Sequence, residues 1–164
     1  MSEPFDNLHA FKNFKFISVL APRNLQLNDR DYFGVFFRNR SGVELKITTL
    51  ERTLVDVLNR PDLAGSLEEI WRSLESIEFF DLDQVVEYVQ LLNNATTAAK
   101  VGFFLEQHQE TLMVDDTYLK TLRRLSPEQP HYFDRGKRKN SIFVKNWNLL
   151  VPPEITHKTW EEVK

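Results

Sequence analysis

The sequence predicts an α+β fold, a small antiparallel sheet packed with a bundle of about five helices. Three observations predict it. Apolar residues recur at every second position within segments between Phe14 and Ile47, the period of a strand that presents one face to a core. From Thr48 to Leu125 the period becomes helical and is punctuated by cap residues. After Pro130 the strand signals return.

Strands are expected near residues 14-20, 31-38, 43-48, 131-135 and 142-151. Phe14 and Phe16 carry the first, Phe33, Val35 and Phe37 the second, and Val43, Leu45 and Ile47 the third. Asn39-Arg40-Ser41-Gly42 is a turn sequence and predicts that the second and third strands form a hairpin. Before them, Met1 to Asn13 gives weak signals, with Phe5, Leu8 and Phe11 suited to packing.

The organising stretch of the sequence is Ile47 to Pro61. Thr48 and Glu51 have the spacing of a reciprocal capping box, so a helix is expected from about Thr49, with Leu50, Leu54, Val57 and Leu58 as its buried stripe. Pro61 forces Arg60 out of helical geometry and ends it. Ser66 with Glu69 repeats the box ahead of Leu67, Ile70, Trp71 and Leu74. Asp81 with Gln84 opens a third helix through Leu82, Val85, Val86, Val89 and Leu92. Asn94 caps a fourth in which Ala98, Val101, Gly102 and Leu105 share a face, Gly102 allowing a neighbouring backbone to approach closely. Asp115 or Asp116 starts a fifth through Leu119, Leu122 and Leu125, and Ser126-Pro127 stops it. Beyond Tyr132 and Phe133, the polar run Asp134 to Ser141 reads as the basic tip between two strands, and Trp160 in the tail calls for a pocket.

A chain of 164 residues, 41% hydrophobic and 27% charged, holds material for one core, and a single domain over 1-164 is expected. The net charge of -3 is spread along the chain, which argues against wrapping nucleic acid over the whole surface but leaves local basic patches. Without cysteine there is no disulfide, thiolate nucleophile or Cys-based metal site. No apolar run approaches the roughly 18 residues of a spanning helix, and no signal pattern opens the chain, so a soluble, cytoplasmic protein with no membrane partner is expected.

Chemical motifs are few. His9, His108, His131 and His157 are dispersed and form no metal-ligand pair, and the glycines stand singly, without a phosphate loop. No serine sits in a nucleophile elbow. No catalytic residue, metal or cofactor is predicted, and the chain is read as not an enzyme. Three polar constellations stand out. Arg52, Asp56 and Arg60 are spaced by four on one helix, either as a charge ladder in which Asp56 pairs with an arginine on either side or as a face toward a partner. Arg135, Lys137, Arg138 and Lys139, close in sequence to His131, Tyr132, Phe133 and Trp147, either solubilise a loop or contact phosphates while the aromatics stack on bases. Thr96, Thr97 and Lys100 near a helix start suit an anion, although capping by Asn94 also accounts for the local chemistry.

The run Ile47 to Glu75, with its Thr-x-x-Glu-Arg-Thr-Leu-Val-Asp core followed by Asn-Arg-Pro and Leu-Glu-Glu, resembles the AbiEi antitoxin family, predicted transcriptional regulators of viral defence. Asn93 to Glu106, Tyr132 to Arg135 and Trp147 to Pro152 agree with it, so the resemblance spans about Phe14 to Pro153. It implies one component of a toxin–antitoxin or abortive-infection system in phage defence. Such a component opposes a nucleotidyltransferase-like toxin without catalysis and without capturing it in a stable complex. Members carry an N-terminal winged-helix DNA-binding domain, for which there is no room before Phe14; the expectation is a stand-alone C-terminal antitoxin domain or a fragment. Two other classes stay open: a nucleic-acid-binding or transcription-regulatory accessory domain using 135-139 on RNA or DNA, and an oligomerising structural domain.

Overall fold

The computed structural model describes residues 8–11, 14–17 and 21–157, and the chain divides after Asp31 into two units. The first contains an antiparallel hairpin of β1 (Leu8–Phe11) and β2 (Phe14–Ile17), followed by the short helix α1 (Arg23–Leu27). The strand expected at 14-20 is present as β2, and residues 18–20 lie outside the described residues, as do Phe5 and Trp160.

The second unit opens with a hairpin of β3 (Val35–Arg40) and β4 (Val43–Thr48), in register from Val35 opposite Thr48 to Arg40 opposite Val43. Ser41 and Gly42 turn it with positive φ, and the Asn39 side chain accepts the Gly42 amide at 3.0 Å. The strand expected at 31-38 starts later and ends later, because Gly34 adopts φ 60 and its carbonyl accepts the Thr49 amide at 2.8 Å, closing the base of the hairpin. Phe36, Phe37, Val43 and Leu45 are exposed, so the alternation of apolar residues here does not mark a covered face.

Helices α2 (Leu50–Asn59), α3 (Leu67–Glu75), α4 (Leu82–Leu92), α5 (Ala95–Gln107) and α6 (Asp116–Leu125) are the five that the caps predict. Ser66 and Glu69 form the reciprocal box, and Asp81, Asn94 and Asp115 cap as read from sequence. The first box is corrected. Thr49, not Thr48, accepts the Arg52 amide, and the Glu51 carboxylate accepts the Asp81 amide instead, tying α2 to the start of α4. Thr48 remains the last residue of β4, opposite Val35, and its hydroxyl bonds that of Thr53. The stripe moves with the cap: Leu54, Val55 and Leu58 are buried, Leu50 is exposed and Val57 is intermediate. Along α4, Tyr88 joins Val85, Val89 and Leu92 in the core, while Leu82 and Val86 are intermediate.

The chain then forms β5 (His131–Tyr132), β6 (Ile142–Val144), β7 (Leu149–Val151) and a last short helix, α7 (Pro153–His157). The five-stranded antiparallel sheet expected from sequence is replaced, among the described residues, by three small sheets, the last mixed in the order β5-β7-β6. The expected strand 131-135 shortens because Asp134 accepts the Gly136 amide and starts a turn. The expected strand 142-151 breaks at a 3₁₀ turn over Lys145–Trp147 and at Asn148, whose φ of 48 is left-handed. Residues 135-139 are therefore a loop between the two outer strands of a sheet whose centre is β7, not the tip of a hairpin.

Helix α5 lies at the centre of this unit, with every residue from Thr97 to Leu105 buried. A Cβ on Gly102 would overlap the six-membered ring of Trp147, so the close approach inferred from the glycine is to an indole rather than to a backbone. That indole donates to Glu106 at 2.6 Å, and Glu106 also pairs with Arg123 of α6 at 2.5 Å. On another side, Trp71 of α3 meets Phe103, Phe104 and Phe133. Among the described residues no helix is long and apolar enough to cross a membrane.

Gly102→Ala is expected to destabilise by about 1–3 kcal/mol in urea unfolding, the opposite sign from the roughly 1 kcal/mol that helix propensity alone would add. Leu54→Ala, at a position with 0% exposure, is expected to lose about 2–5 kcal/mol in the same measurement.

Candidate functional site

The three polar constellations read from sequence have different fates. Arg52 is 8% exposed and lies inside. One guanidinium nitrogen donates to the Phe33 carbonyl at 2.7 Å, Nε reaches Asp56 at 3.4 Å, and the group lies over the Tyr88 ring. Asp56 also accepts the Tyr88 hydroxyl at 2.7 Å, and Phe33 stacks on Tyr88. Burial pushes the Asp56 carboxyl above its ordinary value against the pull of Tyr88 and Arg52, and burial followed by the Asp56 charge raises the Tyr88 phenol. This cluster locks the base of the β3–β4 hairpin to α2 and α4. Arg60 leaves the expected ladder: it follows the last residue of α2 and binds the Asp62 carboxylate through two nitrogens at 3.1 and 3.0 Å.

Arg60 instead borders a cleft of about 770 Å³ that gathers residues from three distant stretches. The end of α2 supplies Arg60 and Asp62, the first turns of α5 supply Thr96, Thr97 and Lys100, and the β5 region supplies His131 to Gly136 and Arg138. Two consecutive asparagines place α5 there. Asn93 ends α4 in the left-handed conformation, which asparagine tolerates, and Asn94 then accepts the Thr97 amide at 3.1 Å as the cap of α5. Thr97 donates its hydroxyl to Asn59 at 2.7 Å, fixing the α5 start against the end of α2. Thr96 and the His131 ring share a hydrogen bond of 2.9 Å on the other wall.

The basic run divides. Arg135 and Arg138 line the cleft, Arg138 donating to the Arg135 carbonyl at 3.0 Å with its guanidinium over the Tyr132 ring. Lys137 turns to Glu154 at 3.2 Å, and neither it nor Lys139 lines the cleft. Trp147, near this run in sequence, is fully buried against α5 and serves the core.

Lys100, singled out in the sequence with Thr96 and Thr97, is the residue whose burial the sequence did not disclose. It is 6% exposed, lines the cleft, and has no hydrogen-bond or ion-pair partner among the described residues; its ammonium lies 5.1 Å from the centre of the Phe133 ring. Burial lowers its pKa to about 8, partly opposed by the charges of Asp134 and Asp62 and reinforced by Arg135. One signal was legible, a cation set within the otherwise apolar run Ala98 to Leu105. The meeting of Arg60 with Arg135 and Arg138 had no local signal, because it depends on contacts between distant segments.

Four cations and two carboxylates around the opening turns of a helix make a cleft suited to holding an anion. Comparison with protein-family models, curated proteins and solved structures found no match.

The lowered pKa has a consequence for stability. Below about pH 8 the ammonium is charged in both folded and unfolded chains, and its burial cost is fully present; between that value and the ordinary Lys value of 10.5 the folded state loses its proton first and the cost falls. Lys100→Met is therefore expected to stabilise the protein at pH 7 by about 3 kcal/mol or somewhat less, with the gain shrinking as pH rises toward 10.5, measured by urea unfolding across pH.

Proposed function

We propose that this chain is an antitoxin-like component of a toxin–antitoxin or abortive-infection system, acting in the cytoplasm against a nucleotidyltransferase-like toxin and without catalysis of its own. The observation that carries this reading is where the family-like strings meet. Arg60 and Asp62 belong to the first string, Asn94 to Lys100 to the second, and Tyr132 to Arg135 to the third, and all three border one cleft. Strings that served only as separate core segments would have no reason to bring their polar residues to a common surface.

A nucleic-acid-binding role for 135-139 is the second reading, favoured by the turning of Arg135 and Arg138 toward the cleft beside Tyr132. In this reading the chain is a nucleic-acid-binding or transcription-regulatory accessory domain that holds RNA or DNA itself.

Co-expression with a nucleotidyltransferase-like toxin encoded beside this chain is expected to relieve growth arrest; continued arrest despite soluble protein overturns the antitoxin reading. Changing Arg135, Lys137, Arg138 and Lys139 together to Ala is expected to weaken gel retention of RNA or DNA and flatten its salt dependence without lowering the melting temperature. Undiminished retention would leave 135-139 as a solubilising loop.

A further inference from the structure

The geometry points to a phosphate-monoester site in the cleft, taking the terminal phosphate of a nucleotide or of a nucleic-acid chain end. Lys100 stands at its inner wall and Arg60, Arg135 and Arg138 at its exposed rim. The site stands independently of the antitoxin reading.

Lys100 carries the inference furthest. A lysine that is 6% exposed and whose ammonium lacks a hydrogen-bonding partner among the described residues is an unfavourable arrangement for a folded chain on its own. An oxyanion entering the cleft supplies the missing partner, and the positive end of α5, a helix of 13 residues, adds to the attraction. Asp62 and Asp134 reduce the positive field without cancelling it. Asp62 is already held by Arg60, Asp134 accepts the Gly136 amide at 2.7 Å, and the lining retains an excess of two positive charges, which matches a phosphate dianion. Arg135, and Arg138 through the nitrogens not given to the Arg135 carbonyl, offer planar donors of the kind that bind phosphate, while the Nε edge of Arg60 is already held by Asp62.

Shape selects the monoester. Lys100 is 6% exposed and lines the cleft, so a phosphate that meets it has to enter; a terminal phosphate has one ester substituent and can do so, whereas a backbone phosphate is flanked by sugars on both sides. A volume of about 770 Å³ exceeds what phosphate alone fills and lies in the range of small-ligand sites. The half-exposed Tyr132 ring, with Arg138 over it, adds an aromatic surface beside which a base can lie.

The test is calorimetric titration of the full chain at low salt with a short oligoribonucleotide carrying either a 5′-phosphate or a 5′-hydroxyl, and with adenosine 5′-monophosphate against adenosine. Each phosphorylated probe is expected to bind about tenfold or more tightly than its unphosphorylated counterpart, and Lys100→Met and Arg135→Ala are each expected to remove most of that preference. Tight binding of the mononucleotide supports a free nucleotide as ligand, and preference for the oligonucleotide supports a chain end. Arg135 is on the surface, so its variant keeps the test decisive if Lys100→Met fails to fold. Equal binding of the phosphorylated and hydroxyl forms, or full preference retained by folded variants, overturns the site.

Discussion

The structure depends on the burial of α5 on every side. A helix that faces solvent can place its polar residues outward, but from Thr97 to Leu105 no outward face exists. The helix tolerates this because it is built almost wholly of Ala, Val, Phe, Leu and Gly, and because Gly102 has no side chain where the Trp147 indole must lie. Trp147 is in turn held by Glu106 of the same helix, and Glu106 by Arg123 of α6. A single contact thus couples the centre of the helical bundle to the turn that leads into β7.

The same enclosure sorts the cations. Arg52 lies in the interior with a carbonyl, a carboxylate and an aromatic face around it, so its charge is accommodated inside the protein. Lys100 is as deeply placed, but among the described residues it has no hydrogen-bonding partner and lies near the Phe133 ring. Two buried cations of one chain therefore stand in opposite circumstances. One is surrounded by partners that hold elements together, and the other lines an open cleft with room for a partner that no described residue supplies.

Helix identities and most caps were legible because they are local. Ser66 and Glu69 meet within one turn, as do Asp81 with Gln84 and Asn94 with Thr97, and the residues needed are all in a short string. The shift from Thr48 to Thr49 was not legible. Both threonines can cap, and the choice falls to the β4 pairing that retains Thr48 and to the Gly34 carbonyl that receives the Thr49 amide. Sheet topology was hidden for a related reason. Alternation locates the strand segments, but β5 pairs with β7 across an intervening stretch, a non-local choice that period two does not encode. For the cleft, Thr96, Thr97, Lys100, Arg60, Arg135 and Arg138 were each recognisable as polar candidates, and only their convergence required the fold.

Position along α5 explains why the cleft is charged and not simply another part of the core. Lys100 lies on the second turn, close enough to the start of the helix to line the same cleft as the cap residue Asn94. One turn further on, position 104 is taken by Phe104, which is fully buried and packs edge-to-face against Trp71. The start of α5 and the enclosure that buries it thus act together on one residue: the first borders the cleft, and the second ensures that whatever enters there meets a charge only weakly screened by water.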